Sequence, residues 1–441
     1  MKNISVFGGM LCVSIFAFSS FINKGKIEKS VIIAQIHDTV PQLPAPFATK
    51  STKNFSKIIG WKDGQIPVAP QGFTVTKFAD VEQPRWIYVA KNGDIFVAES
   101  NTVLKGILKI GAKLSRKIKT HHYGTSINRI RLYRDANKDG IVECCYVFAE
   151  NLNQPFGMLI LNDHFYIANT DGLMMFDYKL GDTVLKGAGK KILSLPTTKP
   201  NRHWTRNIIA NKAGDKIYVA VGSSSNVAEN GIENEVRRAN ILEINPDGSG
   251  ERIYASGLRN PVGMDWAPGS NVMWTAVNER DELGDELVPD YLTHVKEGGF
   301  YGWPYAYYGA HPEPRMKDNS RPDLVSTTIV PDYPLGSHTA SLGLVFYDKN
   351  AFPAKYHNGA FITQHGSWNK KKLAGYKVIF VPFKNGQPSG ASEDFLTNFL
   401  VTTSTDSEVR GRPVGITLLD DGSMLVSDDG ANIIWRVCAG K

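Results

Sequence analysis

The sequence predicts an all-β protein, and within that class a six-bladed β-propeller. Three observations predict it. A strand–turn–strand unit recurs six times along the chain. Gly and aromatic residues are abundant: Gly is 41 of 441 residues, roughly 9% against a usual ~7%, and 10% of residues are aromatic. No apolar run of helical period survives the Gly and Pro punctuation for about 15 residues. Hydrophobic residues at 42% supply a sizeable core, and charged residues at 21% exclude a disordered tail protein.

In chain order, residues 1–25 come first. Lys2 precedes an apolar stretch from Ile4 to Ile22, and Lys24 follows it. A basic start, an apolar middle and small residues near its end (Ala17, Ser19, Ser20) form the pattern of a secretory signal. The stretch is also long enough to be read as an uncleaved anchor. On either reading the body of the chain is expected to be exported, periplasmic or secreted, with a membrane as partner only if the segment is retained. Residues 26–50 are rich in Lys, Pro and Thr without periodicity and read as an exported linker. Residues 51–441 are assigned to the propeller.

Each repeat has two halves. One is a turn followed by an apolar strand: Asn92-Gly93-Asp94 before IFVAE, Asn162-Asp163 before HFYIAN, Gly214-Asp215 before KIYVAVG. The series continues with Gly269-Ser270-Asn271 before VMWTAVN, Asn358-Gly359 before AFITQHG, and Asp421-Gly422 before SMLVSDD. Asn, Asp and Gly at these places suggest type I′ hairpins, which need positive φ. The other half lies upstream: Gln83-Pro84-Arg85-Trp86, Gln154-Pro155-Phe156-Gly157, Asn260-Pro261-Val262-Gly263 and Arg412-Pro413-Val414-Gly415. Weaker copies are Trp204-Thr205-Arg206-Asn207 and Ala340-Ser341-Leu342-Gly343. A unit too small to bury its own core must pack radially. Equivalent positions then converge, so Arg85, Gln154, Arg206, Asn260 and Arg412 are expected to ring one mouth. Three arginines in one ring call for an anion among them.

Charge and cysteine content narrow the function. Lys plus Arg exceeds Asp plus Glu by 50 − 43 = 7. A soluble basic surface accounts for this, as does an anionic ligand. Nucleic acid is excluded as a partner by the lack of a basic helix, zinc-finger spacing or RNP-like strand. The sequence has no Gly-x-Gly-x-x-Gly after a strand, no Walker loop, no His-Glu-x-x-His and no Gly-x-Ser-x-Gly, which removes the main support for nicotinamide, ATP, zinc-protease and α/β-hydrolase readings. Cys144 and Cys145 are adjacent, and neighbours on a strand point to opposite faces, so they are expected to be ordinary strand cysteines. No Cys-x-x-Cys-His motif occurs for covalent haem.

Four segments carry unusual residues. In Asn201-Arg202-His203-Trp204-Thr205-Arg206-Asn207, a His with an intrinsic pKa near neutrality is a candidate general base or a hydrogen-bonded structural residue. In Ser256-Gly257-Leu258-Arg259-Asn260-Pro261-Val262-Gly263-Met264, Arg and Asn stand on a Gly–Pro-bracketed turn. Residues 278–286 (Asn-Glu-Arg-Asp-Glu-Leu-Gly-Asp-Glu) hold five acids in nine, which suits a hard cation such as Ca²⁺ or a solvated loop. Asp135-x-Asn137-x-Asp139-Gly140 with Glu143 has calcium-loop spacing, but Tyr146 stands where a bidentate Glu is needed, and an Asx-turn hairpin accounts for it equally.

In this order, RHWTRN (202–207), SGLRNPVGM (256–264), NERDELGDELVPDYL (278–292), EGGFYGWPY (297–305), QHGSWN (364–369), GYKVIFVPF (375–383) and RGRPVGI (410–416) resemble the pyrroloquinoline-quinone (PQQ) dependent glucose/sorbosone dehydrogenases. The likeness is to the L-sorbosone dehydrogenase-like branch and spans about residues 70–438. The resemblance implies PQQ and Ca²⁺ as cofactors, a sugar or sugar aldehyde as substrate and an external electron acceptor, a quinone or a cytochrome. It places the catalytic residues on His203, the base, and on Arg259, which stabilises the charge developing on the quinone oxygen and with Asn260 forms the pair that contacts quinone and sugar. Gln154, Arg206, His365, Lys371 (within Lys370 to Lys372), Arg410 and Arg412 join the cofactor-binding set, and backbone carbonyls of Arg280 and Asp281 hold the calcium.

One departure stands out. Glucose-type members carry an aspartate before the base histidine; here that residue is Arg202. Either the orienting group comes from elsewhere, or His365 or His338 is the base. Two further readings of the propeller are a calcium-dependent lactonase or other hydrolase, and a non-catalytic carbohydrate-binding protein.

Overall fold

A computed structural model describes residues 41–103, 124–137, 139–197, 200–401 and 407–440. The signal or anchor and most of the linker expected before residue 41 lie outside the described residues. Among the described residues no helix is long and apolar enough to cross a membrane.

Six four-stranded antiparallel sheets form the six blades. Their first strands are Pro84–Val89, Met158–Leu161, Ile208–Ala210, Pro261–Trp266, Ser341–Phe346 and Pro413–Leu418. These meet one another around the axis. Each is followed by the strand expected after its turn: Ile95–Glu99, His164–Asn169, Ile217–Val221, Met273–Val277, Ala360–Gln364 and Met424–Asp428. Apart from Glu99, His164, Asn169, Gln364 and Asp428 the residues of the second strands are apolar or small, and every position except His164 is buried, as expected for strands packed between two neighbouring blades.

The hairpin expectation is corrected in part. Of the six expected turns, Asn162-Asp163 alone has two successive central residues with positive φ, at 49° and 60°. The other turns are longer and spend one positive-φ residue each, such as Gly93 and Gly422.

The ring closes in blade 6. Its outermost strand, Phe73–Asp80, comes from the amino-terminal side and pairs along its length with Ile433–Ala439. The two ends of the propeller are thereby stitched in one sheet.

Two features of the repeat explain the packing. Trp86, Phe156, Trp204, Val262, Leu342 and Val414, one from each blade, belong to one apolar cluster. Trp86 and Phe156 lie 4.7 Å apart, and Phe156 and Trp204 meet edge-on at 6.1 Å. This cluster joins the six blades near the axis, and the polar residues that flank it mark the mouth, here called the cup. The repeat glycines stand against the next blade. A Cβ on Gly157 would lie 2.7 Å from Ile208 N, on Gly263 2.6 Å from Leu342 O, and on Gly415 2.8 Å from Arg85 O. The blades approach so closely that only a hydrogen fits.

Two segments outside the repeat reach the mouth. Between the third and fourth strands of blade 4, an insertion carries the short hairpin Ala306–Tyr307/His311–Pro312, then Glu313 and Arg315. An amino-terminal strap crosses the loops of blades 4 and 5. Leu283 O accepts from Phe47 N, Ser51 Oγ from Gly284 N and Thr49 Oγ1 from Asp285 N, while Asn54 N donates to Trp368 O. Cys144 and Cys145 sit as free thiols on the outer strand of blade 1, and Cys438 is a free thiol on Ile433–Ala439 of blade 6.

Candidate active site

Polar residues reach the mouth from two places in each blade: just before the first strand and just after the second. One side of the cup is built on blades 3 and 4. His203 Nδ1 lies 2.9 Å from both Ser223 O and Ser223 Oγ. Ser223 Oγ spends its proton on Ser225 O at 2.6 Å, so it can only accept from the imidazole. His203 therefore carries its proton on Nδ1 and leaves the Nε2 lone pair for a substrate. The orienting group is a backbone carbonyl and a hydroxyl, with no carboxylate required. Burial, then the Arg259 charge, pushes the His203 pKa well below its usual value, against the Ser223 hydrogen bond. At neutral pH the imidazole is a free base.

Asn260 is 5% exposed, and its Oδ1 is buried without a hydrogen-bond partner. A Cβ on Gly222 would run into both the Asn260 amide and the His203 side chain. The bare glycine lets these two groups lie side by side. Arg259 holds this wall in place. Its carbonyl accepts from Ser223 N at 2.8 Å. Its guanidinium binds Asn226 O and Oδ1 (3.1 and 2.8 Å), Asn278 O (3.2 Å) and Glu279 O (2.7 Å).

The other side is built on blades 5, 6 and 1. Asp429 bridges Arg85 and His365, accepting from His365 Nε2 at 2.8 Å. All three side chains are at most 8% exposed. Burial pushes the Asp429 carboxyl up, but the charges of its neighbours, Arg85 among them, and the His365 hydrogen bond outweigh it and hold the pKa far below the usual range. His365 is pushed down to about 4 by burial and then by Arg412, against the opposing pull of Asp429. It is thus a neutral Nε2–H donor. Arg412 is 6% exposed and bonds only carbonyl oxygens, Nε to His365 O at 3.1 Å and Nη2 to Gly366 O at 3.4 Å. It makes no ion pair among the described residues. Asp428 fixes its backbone, accepting from Arg412 N at 2.7 Å. Trp204 joins the two sides: it neighbours His203, and Arg85 Cζ lies 5.4 Å above its ring.

Other expected residues are placed differently. Arg206 is fully buried and turns away from the cup, its Nη1 on His203 O (2.8 Å) and Nη2 on Pro196 O (3.0 Å), so it braces the His203 loop from behind. The anion expected among three arginines is in part internal, since Asp429 pairs with Arg85 and feels the charge of Arg412. Arg410 faces Asn398 and Gln65 and shares no partner with Arg412. Lys371 is exposed, and its backbone N binds Asp285 Oδ2. Gln154 sits at the rim, with Nε2 on Asn101 O at 2.8 Å. His338 is clamped between two acceptors, Asp281 Oδ1 at 3.2 Å and Gly284 O at 2.8 Å. With a hydrogen bond to an acceptor at each nitrogen it has no lone pair to act as a base, and its pKa is raised: burial lowers it, but Asp281 outweighs that.

The acidic loop is solvated at Glu282 and Glu286, yet each of its five acids has a partner. Glu279 pairs with Arg280, Asp281 with His338, Glu282 with Lys53 and Glu286 with Lys370, while Asp285 accepts from Thr52 N and Lys371 N. Asp281 O already accepts from Asn226 Nδ2 (3.0 Å) and Arg315 Nη1 (2.8 Å). These donors do not fit a cation on that oxygen. The Asp135 loop is an Asx-turn hairpin: Asp135 accepts from Asp139 N and Gly140 N, and Glu143 from Ala136 N. Its carboxylates lie within 4.8 Å of one another on the surface.

Ser223, Asp429 and Arg315 were not singled out from sequence. The first two lie just past second strands already in the repeat, the same place that supplies His365, and that position was the signal available. Arg315 lies outside the repeat and had none.

Fold and site together define a six-bladed propeller with a buried, cation-lined cup facing a neutral imidazole. Residues 65–434 match the family described as "Domain of unknown function (DUF7133)". The chain belongs to that family. It is 31% identical over 388 residues to an uncharacterized protein of Borreliella burgdorferi, covering 83% of this chain and 89% of that protein. A segment of 110 residues is 30% identical to the aldose sugar dehydrogenase YliI of Escherichia coli, over 25% of this chain and 28% of that one. The PQQ domain of pyranose dehydrogenase from Coprinopsis cinerea shares the fold, with a TM-score of 0.66 at 19% identity over 87% of this chain and all of that domain.

Proposed function

We propose that this protein is a PQQ-dependent sugar dehydrogenase that oxidises a sugar or sugar aldehyde of aldose or sorbosone type and passes the electrons to an external acceptor, a quinone or a cytochrome. The observation that carries the reading is Arg412. A guanidinium buried to 6% exposure without an ion pair is costly unless a ligand supplies the anion. PQQ, a planar tricarboxylate, has that chemistry, and the pyranose dehydrogenase domain that shares this fold is a PQQ domain. Arg412 lies on the wall where Asp429 already holds His365, and the orphaned Asn260 Oδ1 lies on the other, with Gln154 at the rim. These residues fit a flat polar group between them and would hold it.

PQQ, when bound, supplies the two-electron acceptor. The chain supplies the rest. His203 Nε2 accepts the proton of the substrate hydroxyl while Ser223 O keeps Nδ1–H in place. Asn260 orients the substrate. A lactonase reading would need an open calcium loop, and all five acids of residues 278–286 are engaged. Export through residues 1–25 places the chemistry outside the cytoplasm, with the propeller domain beginning near residue 51.

The test is optical. Apoprotein is reconstituted with PQQ, sugars are added, and the quinone absorption band is followed. Bleaching by an aldose supports the proposal; an unchanged band across aldoses and sugar aldehydes, with PQQ bound, rejects it.

A further inference from the structure

The resemblance puts a calcium on the carbonyls of Arg280 and Asp281, and the charges around that loop answer the requirement in another way. Arg315 is gripped by Glu313, Nε to Oε1 at 2.7 Å and Nη2 to Oε2 at 3.0 Å, and the Glu313 side chain is fully buried. Its remaining nitrogen, Nη1, donates to Asp281 O at 2.8 Å. Asn226 Nδ2 takes the second lone pair of the same oxygen. Arg280 is fully buried between Glu279 (2.9 Å) and Glu313 (3.2 Å). The Asp281 carboxylate lies 3.7 Å from Arg259 Nη2.

Three guanidiniums, Arg259, Arg280 and Arg315, and the imidazole of His338 thus stand against four carboxylates, Glu279, Asp281, Asp290 and Glu313, and the loop is balanced without a metal. A calcium at about 2.3–2.6 Å from Asp281 O would have to displace Arg315 Nη1 or Asn226 Nδ2 and stand beside the guanidiniums of Arg259 and Arg280. Buried charge of one sign at that density has no compensation.

We propose that Arg315 replaces a divalent cation in this loop. Its guanidinium, carried in on the blade 4 insertion, fixes the Asp281 carbonyl from within the chain, and the loop takes up no calcium. Arg315 is a positioning residue: through Asp281 and Asn226 it holds Arg259, and through Arg259 O it holds Ser223, which orients His203.

The experiment uses the apoprotein, so its outcome does not depend on the dehydrogenase reading. The exposed acidic loop is first removed as a calcium binder by Asp135→Asn with Asp139→Asn. Calorimetric titration of this parent with CaCl2 is expected to show no 1:1 binding, and its Tm is expected to be the same in CaCl2 and in EGTA. Arg315→Met in the same background should lower Tm by several degrees, with part of the loss recovered by CaCl2, while Arg315→Lys should fall between the two. Stoichiometric calcium binding by the parent overturns the proposal. So does an Arg315→Met protein whose Tm equals the parent's or does not respond to CaCl2. If Arg315→Met fails to fold, the parent titration decides alone.

Discussion

Replacing Asp429 by Asn should separate the stability of the cup from its affinity for anions. The carboxylate bridges Arg85 and His365, with all three side chains at most 8% exposed. Asn keeps the shape and one acceptor oxygen but leaves the Arg85 guanidinium without its charge partner. Breaking a buried pair on one side costs about 3–5 kcal/mol. The compact unit, residues 36–441, holds about 400 residues. At about 2.1 cal/mol/K per residue its unfolding entropy is ~0.8 kcal/mol/K, so Tm should fall by roughly 4–6 °C. The same change leaves Arg85 and Arg412 without a competing carboxylate, so affinity for a polycarboxylate such as PQQ should rise. A double-mutant cycle with Arg85→Met, read by calorimetry, isolates the pair and should show coupling on the order of 2 kcal/mol or more. Additive losses in the cycle, or a Tm within about 1 °C of wild type, would refute the bridge. Weaker PQQ binding in Asp429→Asn would refute the competition between the internal and the external anion.

Three further changes test other parts of the structure. Arg412→Ala should weaken PQQ binding by about 2–5 kcal/mol, while Arg410→Ala, whose guanidinium faces Asn398, should leave affinity unchanged in the same titration. Gly415→Ala puts a Cβ 2.8 Å from Arg85 O and should cost about 1–3 kcal/mol, seen as a lower denaturation midpoint with an unchanged far-UV spectrum. The pH dependence follows from two imidazoles held neutral by the fold. Below the ordinary His pKa of about 6.5 the unfolded chain takes up protons that folded His203 and His365 refuse, so stability should fall with decreasing pH, for His365 down to about 4. For the same reason the acid limb of kcat/KM should lie below pH 6.5 and vanish with activity in His203→Gln; a limb at or above the ordinary His value would contradict the neutral base.

The legible part of the fold is the part with local rules. Six turns and six following strands are readable because Asn, Asp and Gly mark the turns and the strands are almost wholly apolar. The closing strand, Phe73–Asp80, is not readable as such: its partner, Ile433–Ala439, lies at the far end of the chain, and nothing in FTVTKFAD names it. The site divides along the same line. His203, Asn260, His365 and Arg412 reach the cup because their places beside the strands set where their backbone lies. Arg206, Arg410 and Lys371 occupy comparable places, yet a long side chain chooses its direction from partners that only the folded molecule supplies, such as Pro196 O, Asn398 and open solvent.

On the proposed reading, this difference explains how the motif RHWTRN serves as a base without the aspartate that glucose-type members carry before the histidine. What a base of this kind needs is a fixed tautomer and a neutral ring. A preceding carboxylate would fix the tautomer while pulling the pKa up. Ser223 O fixes the same tautomer with a weaker upward pull, and burial together with Arg259, Arg202 and Arg238 carries the pKa down. Arg202 itself is more than half exposed and paired with Glu229 at 3.5 Å, so its charge reaches the imidazole only as a minor contribution. The substitution at position 202 therefore alters the strength of the base and leaves its orientation intact. Orientation is held one blade away, where Arg259 O grips Ser223, and behind it by Asn226 and Arg315. In this chain the support of the proposed base comes from the blade 4 loop and not from the neighbouring residue.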